Sequence, residues 1–259
     1  MDATARAAPF SVKLRDKIKN SHRQARRLTL LPVAQQKGRW RACLAGGVIP
    51  LATLIQTVWQ DLCTRLSISN SADLWAKITT AYGEPHRHYH TLDHIAAVVT
   101  LFETVRDRFE DPDQALLALY FHDIIYDPSR HDNEAQSAHV LMNRLPGHDV
   151  SRAAHHILAT QKHLAEHDPD TNLVLDIDMS ILGAPWPDYF AYARGVACEY
   201  MPVYGNDAYA AGRVALFLTP TIERDRIFLT EPFNYLDVQT KQNLSAERDL
   251  WQNGDFGPI

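Results

Sequence analysis

From Leu51 onwards the apolar residues recur at helical spacing, and almost nowhere with the alternation a half-buried strand needs. That pattern confines the chain to an all-α fold. Leu51, Leu54, Ile55, Val58, Trp59 and Leu62 lie at i, i+3, i+4, i+7 intervals, and Leu74, Trp75, Ile78 and Tyr82 form a second such stripe after the polar break Ser67–Ser71. Gly83, Glu84 and Pro85 stop that helix. A third is expected from about Thr91 to Phe109, and a fourth from Asp111-Pro112 to Ile125, closed by Asp127-Pro128. Further helices read over 133–145, 150–163, 173–182, 186–201 and 207–218, with a last one beginning near Leu236. No hairpin dipeptide lies between alternating runs and no repeat is visible, so a single helical domain is predicted over 48–259.

Residues 1–47 are a different kind of sequence. Residues 1–42 hold 11 Lys or Arg against only Asp2 and Asp16, although the whole chain carries a formal charge of −5. This segment reads as a basic, poorly ordered extension, with a targeting segment or an arm for nucleic acid or lipid as competing readings. Apart from that arm, no nucleic-acid partner is expected. No signal peptide of the usual pattern is recognised, and no apolar run reaches the 18 or so residues of a membrane span. Cys43, Cys63 and Cys198 are far apart with no CxxC pair, which argues against a disulfide framework and fits a cytoplasmic location. Nothing in the composition sets an oligomeric state.

All but two of the 13 histidines fall between His86 and His163. Imidazole is the commonest metal ligand, so this clustering points to a metal site. The segment Arg87-His88-Tyr89-His90-Thr91-Leu92-Asp93-His94 is followed 28 residues later by His122-Asp123, and 55 residues after Asp123 by Asp178. Two imidazoles and two carboxylates suit a divalent ion such as Mn, Fe, Co, Ni, Zn or Mg. The flanks of Asp123 are apolar, and a carboxylate among them is costly unless paired or metal-bound. The competing reading is a hydrogen-bonded core histidine beside a chance aspartate. Arg87 and Lys162 are candidate anion binders near the site.

The order His94, His122-Asp123, Asp178 on a helical background resembles the HD superfamily of metal-dependent phosphohydrolases. "RHYHTLDHI", "FHDIIYD", "DNEAQSA" and "LDIDMSILG" look more narrowly like its bacterial predicted-phosphohydrolase group, over roughly residues 52–250. The resemblance implies an HD-type helical bundle with one divalent ion on His94, His122, Asp123 and Asp178. Asp176 competes for the last position, but i and i+2 cannot share a helical face and the family pattern places the ligand directly before "MSILG". Helical alarmone hydrolases of the superfamily handle the attacking water with acids just after the His-Asp pair. By that likeness Asp127 is the candidate general base, with a turn residue before Pro128 as the competing reading. Some HD proteins hold a second ion on two extra histidines. His156 and His163, at i and i+7, are candidates for it, or for binding substrate phosphate when protonated. Arg194, Glu199 and Arg213 read as inter-helix ion pairs, and Glu134 as a cap-region acid or a partner of a histidine.

The expected activity is hydrolysis of a phosphorylated small molecule, such as a nucleotide, by a metal-activated water. Two other classes compete: a two-iron oxygenase on the same scaffold, and a ligand-binding module that retains the ion without turnover.

Overall fold

The computed structural model describes residues 42–44 and 47–259, which belong to one compact unit, Arg41–Ile259. The expected basic extension lies almost wholly outside the described residues. A short antiparallel ladder, β1 (Ala42–Leu44) with β2 (Gly47–Ile49), precedes the helices and pairs Cys43 with Val48. Three residues are too few to show alternation in the sequence, although Val48 and Ile49 favour strands. Everything after it is helix and connection. The helices are α1 (Leu51–Arg65), α2 (Ser71–Ala81), α3 (Leu92–Val105), α4 (Pro112–Phe121), α5 (Asn133–Arg144), α6 (Ser151–Ala159), α7 (Pro169–Met179) and α8 (Trp186–Tyr204). Then come α9 (Asn206–Gly212), a π-helical stretch Arg213–Leu218, α10 (Thr219–Ile222) and α11 (Asp237–Asn253). The class is all-α.

Helix α4 is the centre of the packing. Its residues Ala115 to Phe121 are all 0% exposed, and it packs against α3, α6 and α7. A helix buried on every side cannot be amphipathic, which is why this segment reads as one apolar run. Each of its Leu and Phe side chains contributes about 1.5–3 kcal/mol by leaving water. Asp111 starts the helix by accepting from the Gln114 amide at 3.2 Å, with Pro112 in the first turn where a missing N–H costs nothing. The buried carboxylate of Asp170, in the first turn of α7, accepts from the amides of Glu110 and Asp111, both at 2.8 Å. Helices α4 and α7 therefore start together and run side by side. Their C-terminal ends bring His122 and Asp178 into contact range, 3.5 Å apart.

Two helices end sooner than their sequence pattern suggests, and both endings shape the site. Helix α4 stops at Phe121, not near Ile125, because the next groups bond elsewhere. Arg87, its side chain fully buried, donates to the carbonyls of Asp123 (2.7 Å) and Ile124 (3.3 Å). Ser137 Oγ accepts from the Ile125 amide at 3.1 Å, and Asn133 Oδ1 from the Asp127 amide at 3.1 Å. Helix α6 likewise stops at Ala159, and His163 takes a left-handed φ of 47° in the turn that follows. That turn breaks the i, i+7 relation between His156 and His163.

Replacing Arg87 by Met leaves three backbone carbonyls, of His90, Asp123 and Ile124, and the Glu84 carboxylate without their donor. The expected loss in denaturant unfolding is about 2–4 kcal/mol. Lys162→Met, on an exposed turn, is expected to change stability by less than about 0.5 kcal/mol. Equal effects would contradict the role given to Arg87.

Candidate metal centre

Three elements deliver the donors. His94 stands in the first turn of α3, whose cap residue Thr91 accepts from the Asp93 amide at 3.3 Å. His122 and Asp123 follow the last residue of α4, and Asp178 lies in the last turn of α7. His94, His122 and Asp178 offer donor atoms that all lie within 4.8 Å of one another. His94 Nε2 is 3.1 Å from His122 Nε2, and Asp178 Oδ1 is 3.2 Å and 3.5 Å from those two nitrogens. A triangle with such edges leaves a point about 2 Å from every corner, the bond length of imidazole or carboxylate to a first-row divalent ion. Asp123 Oδ2 adjoins this triangle at 3.0 Å from His122 Nε2. His122 keeps helical dihedrals (φ −57°, ψ −39°) at the C-terminal end of α4, and Asp123 reaches the same place from that end.

The surroundings prepare these atoms as ligands. His122 Nδ1 lies 3.0 Å from the Leu119 carbonyl and donates to it, which turns the Nε2 lone pair towards the cluster. His163 Nε2 lies 2.9 Å from Asp178 Oδ2, leaving Oδ1 for the triangle. Two imidazole nitrogens facing each other with a carboxylate alongside is a donor set that fits a divalent cation.

The electrostatics agree. Burial alone would depress the His122 pKa, but Asp123 and Asp178 outweigh it and hold it well above the ordinary range. Burial would raise both carboxylates, and the facing His122 holds each below its ordinary value. His94 is lowered by its burial, with Asp178 opposing. The cluster thus carries negative charge that a cation, or protons on its imidazoles, must balance.

Among the other expected site residues, His163 is at the cluster and the rest are elsewhere. Arg87 is not free for an anion: besides the carbonyls of Asp123 and Ile124 it donates to that of His90 at 3.3 Å and to Glu84 at 2.9 Å, and it lies over the rings of Tyr82 and Tyr126. Asp127 is exposed and accepts from the amide and hydroxyl of Ser129, a local turn, and its place one helical turn past Asp123 is lost with the early end of α4. It lines a neighbouring groove of about 700 Å3 with His86, His88 and Arg130, which Tyr126 and Glu199 also line and the four ligand candidates do not. Lys162 points from an exposed turn. His156 sets Nδ1 2.8 Å from the Thr171 hydroxyl, some 10 Å of helix before Asp178. It cannot share a second ion with His163. Asp176 is buried and accepts from the amides of Leu229 (2.8 Å) and Thr230 (2.7 Å), which fastens the C-terminal region and turns it from the cluster.

Two residues matter more than their sequence suggests. Glu134 senses Asp123, His163 and His122, its carboxyl held above the ordinary range first by burial. Among the described residues Glu199 pairs with no Arg or Lys, only with His90. One oxygen accepts from the amides of His88, Tyr89 and His90, and the other binds His90 Nδ1 at 2.7 Å and the Tyr126 hydroxyl at 2.8 Å. Burial would raise its pKa, but His90 and these donors bring it down to about 2. Arg213 does pair, with buried Glu247 on α11 at 2.9 Å, and Arg194 donates to the Pro258 carbonyl at 2.7 Å. Backbone acceptors and donors leave no trace in residue spacing, so neither Arg87 nor Glu199 could be assigned from it.

No family model matches the chain, and no curated protein or solved structure matches it either. Among the described residues, no helix is long and apolar enough to cross a membrane.

Metal analysis of protein equilibrated with one divalent ion is expected to show retention by the wild type and loss in His122→Ala and Asp178→Ala. His163→Ala, acting through Asp178, is expected to weaken retention about 10–100-fold. Asp127→Ala should retain it fully, and loss there would contradict the geometry. Glu199 supplies a pH test. Its folded pKa lies below the unfolded value of about 4.3, so its contribution is complete above that value and is lost as pH falls towards 2. The stability gap between wild type and Glu199→Gln should therefore narrow across that window, and a constant gap would contradict a depressed carboxyl.

Proposed function

We propose that the chain is a metal-dependent phosphohydrolase of the HD type, cleaving a phosphate ester such as that of a nucleotide. The observation that carries this reading is the convergence of His94, His122 and Asp178, with Asp123 adjoining, at the ends of three helices far apart in sequence. A bound divalent ion supplies a water of lowered pKa and polarises a phosphoryl oxygen.

The chain's own residues orient and enclose. His163 holds Asp178 in one rotamer, and the Leu119 carbonyl does the same for His122. Arg224 donates from Nη1 to the His163 carbonyl at 3.2 Å, and Lys162 precedes His163 in the same turn. Arg224, rather than Arg87 or the exposed Lys162, is the cation beside His163 to offset charge on a phosphoryl group. The imidazole nearest to Asp123 beyond the ligand set is His90, with Nε2 3.9 Å from Oδ2. Proton handling falls to that side of the cluster, since Asp127 is occupied in its turn.

A two-iron oxygenase reading requires His156 and His163 on one ion, and their separation weighs against it. A ligand-binding module without turnover makes a different prediction from an enzyme. Purified protein supplied with Mn2+, Zn2+ or Mg2+ and a panel of nucleotides and phosphoesters is expected to release phosphate. Asp123→Ala and Asp178→Ala are expected to lose at least about 10²-fold in kcat/KM, in line with removal of a charged group acting on the transition state. Equal release by wild type and both variants would overturn the proposal, as would no release on any compound.

A further inference from the structure

Glu199 uses both oxygens fully, and all its partners but one lie in a single short turn. Oε1 accepts from three successive amides, His88 at 2.7 Å, Tyr89 at 2.7 Å and His90 at 3.0 Å. Oε2 binds His90 Nδ1 at 2.7 Å and the Tyr126 hydroxyl at 2.8 Å. A buried carboxylate with five donors is fixed in place, and it fixes them. The approach depends on Gly195, one helical turn earlier on α8. A Cβ there would lie 3.0 Å from Tyr89 Cβ and 3.3 Å from the Tyr89 amide nitrogen. The helix meets the turn backbone to backbone, and a side chain at 195 would push them apart.

The consequence is at the other end of the His90 ring. A carboxylate accepts only, so Nδ1 carries a hydrogen and Nε2 is turned away from α8, towards Asp123. Its distance of 3.9 Å from Asp123 Oδ2 is too long for a direct hydrogen bond and right for one oxygen atom to touch both. Asp123 Oδ2 is itself 3.0 Å from His122 Nε2, so that oxygen would sit at the edge of the metal cluster. The ring is held from its faces as well, with its centroid 4.2 Å from that of Tyr126 and 4.9 Å from that of Tyr89.

We infer that Glu199 is a positioning residue: it holds the 88–90 turn and the His90 ring so that His90 Nε2 binds and orients an oxygen ligand, water in the resting state, between itself and Asp123. Only the kinetic part of the test rests on the phosphohydrolase reading above.

Glu199→Gln keeps an oxygen for the three amides but replaces the acceptor of Nδ1–H by a donor, so it separates aiming from folding. Imidazole 15N spectra of the full chain, with and without Zn2+, are expected to show His90 Nδ1 protonated and strongly hydrogen-bonded in the wild type. In Glu199→Gln that signature is expected to be lost while the ion is retained. A wild-type Nδ1 without a proton, or an unchanged His90 in Glu199→Gln, overturns the inference. With an active phosphoester in hand, Glu199→Gln and His90→Asn should each lower kcat about 10²-fold at similar KM, and the double variant should be no worse than either. Losses that multiply would show two independent roles and overturn it too. Gly195→Ala, if Glu199→Gln folds poorly, should disturb the same His90 signals with all five donors and the carboxylate still present. If the wild type releases no phosphate from any compound, the hydrolase reading fails while the spectra still decide on Glu199.

Discussion

The site depends on the place where α4 stops. A helix buried on all sides has to end somewhere inside the protein, and its last carbonyls must find donors there. Here the Leu119 carbonyl takes His122 Nδ1 and the Phe121 carbonyl takes the Ile124 amide, while just past the end Arg87 holds the carbonyls of Asp123 and Ile124, and Asn133 and Ser137 take the amides of Asp127 and Ile125. His122 and Asp123 stand at that end, and α7, started level with α4 by Asp170, carries Asp178 to meet them.

The resulting cluster is electrostatically unbalanced by construction. Two carboxylates and two imidazoles share a buried volume, each carboxylate held down by His122 and His122 held up by both. Around them lies a layer that fixes orientation without contributing a ligand: Leu119 behind His122, His163 behind Asp178, and Glu199 behind His90. Such layers set rotamers and tautomers, and losing one partner typically weakens ion affinity about 10–100-fold.

The helical periodicity and the order of the histidines and aspartates were legible in the chain, and with them the all-α class and the members of the cluster. What spacing could not show is where a helix ends when a side chain from another segment ends it. Asp127 and the His156–His163 pair were both placed by assuming unbroken helix, and both fail at such an ending, one beyond Phe121 and one beyond Ala159. Arg87 misled for a related reason: a guanidinium that suits phosphate oxygens suits peptide carbonyls equally. Glu199 is separated from its partners by 73 to 111 residues, and three of its five donors are amides, which every residue but proline carries.

The most direct measurement is a crystal structure of the chain loaded with a single divalent ion, with anomalous diffraction locating it. The account predicts one peak within about 2.0–2.2 Å of His94 Nε2, His122 Nε2 and Asp178 Oδ1, with Asp123 completing the set. An ion found instead in the groove beside His86 and His88, or a cluster left empty under saturating metal with His122 paired to its two aspartates, would contradict it.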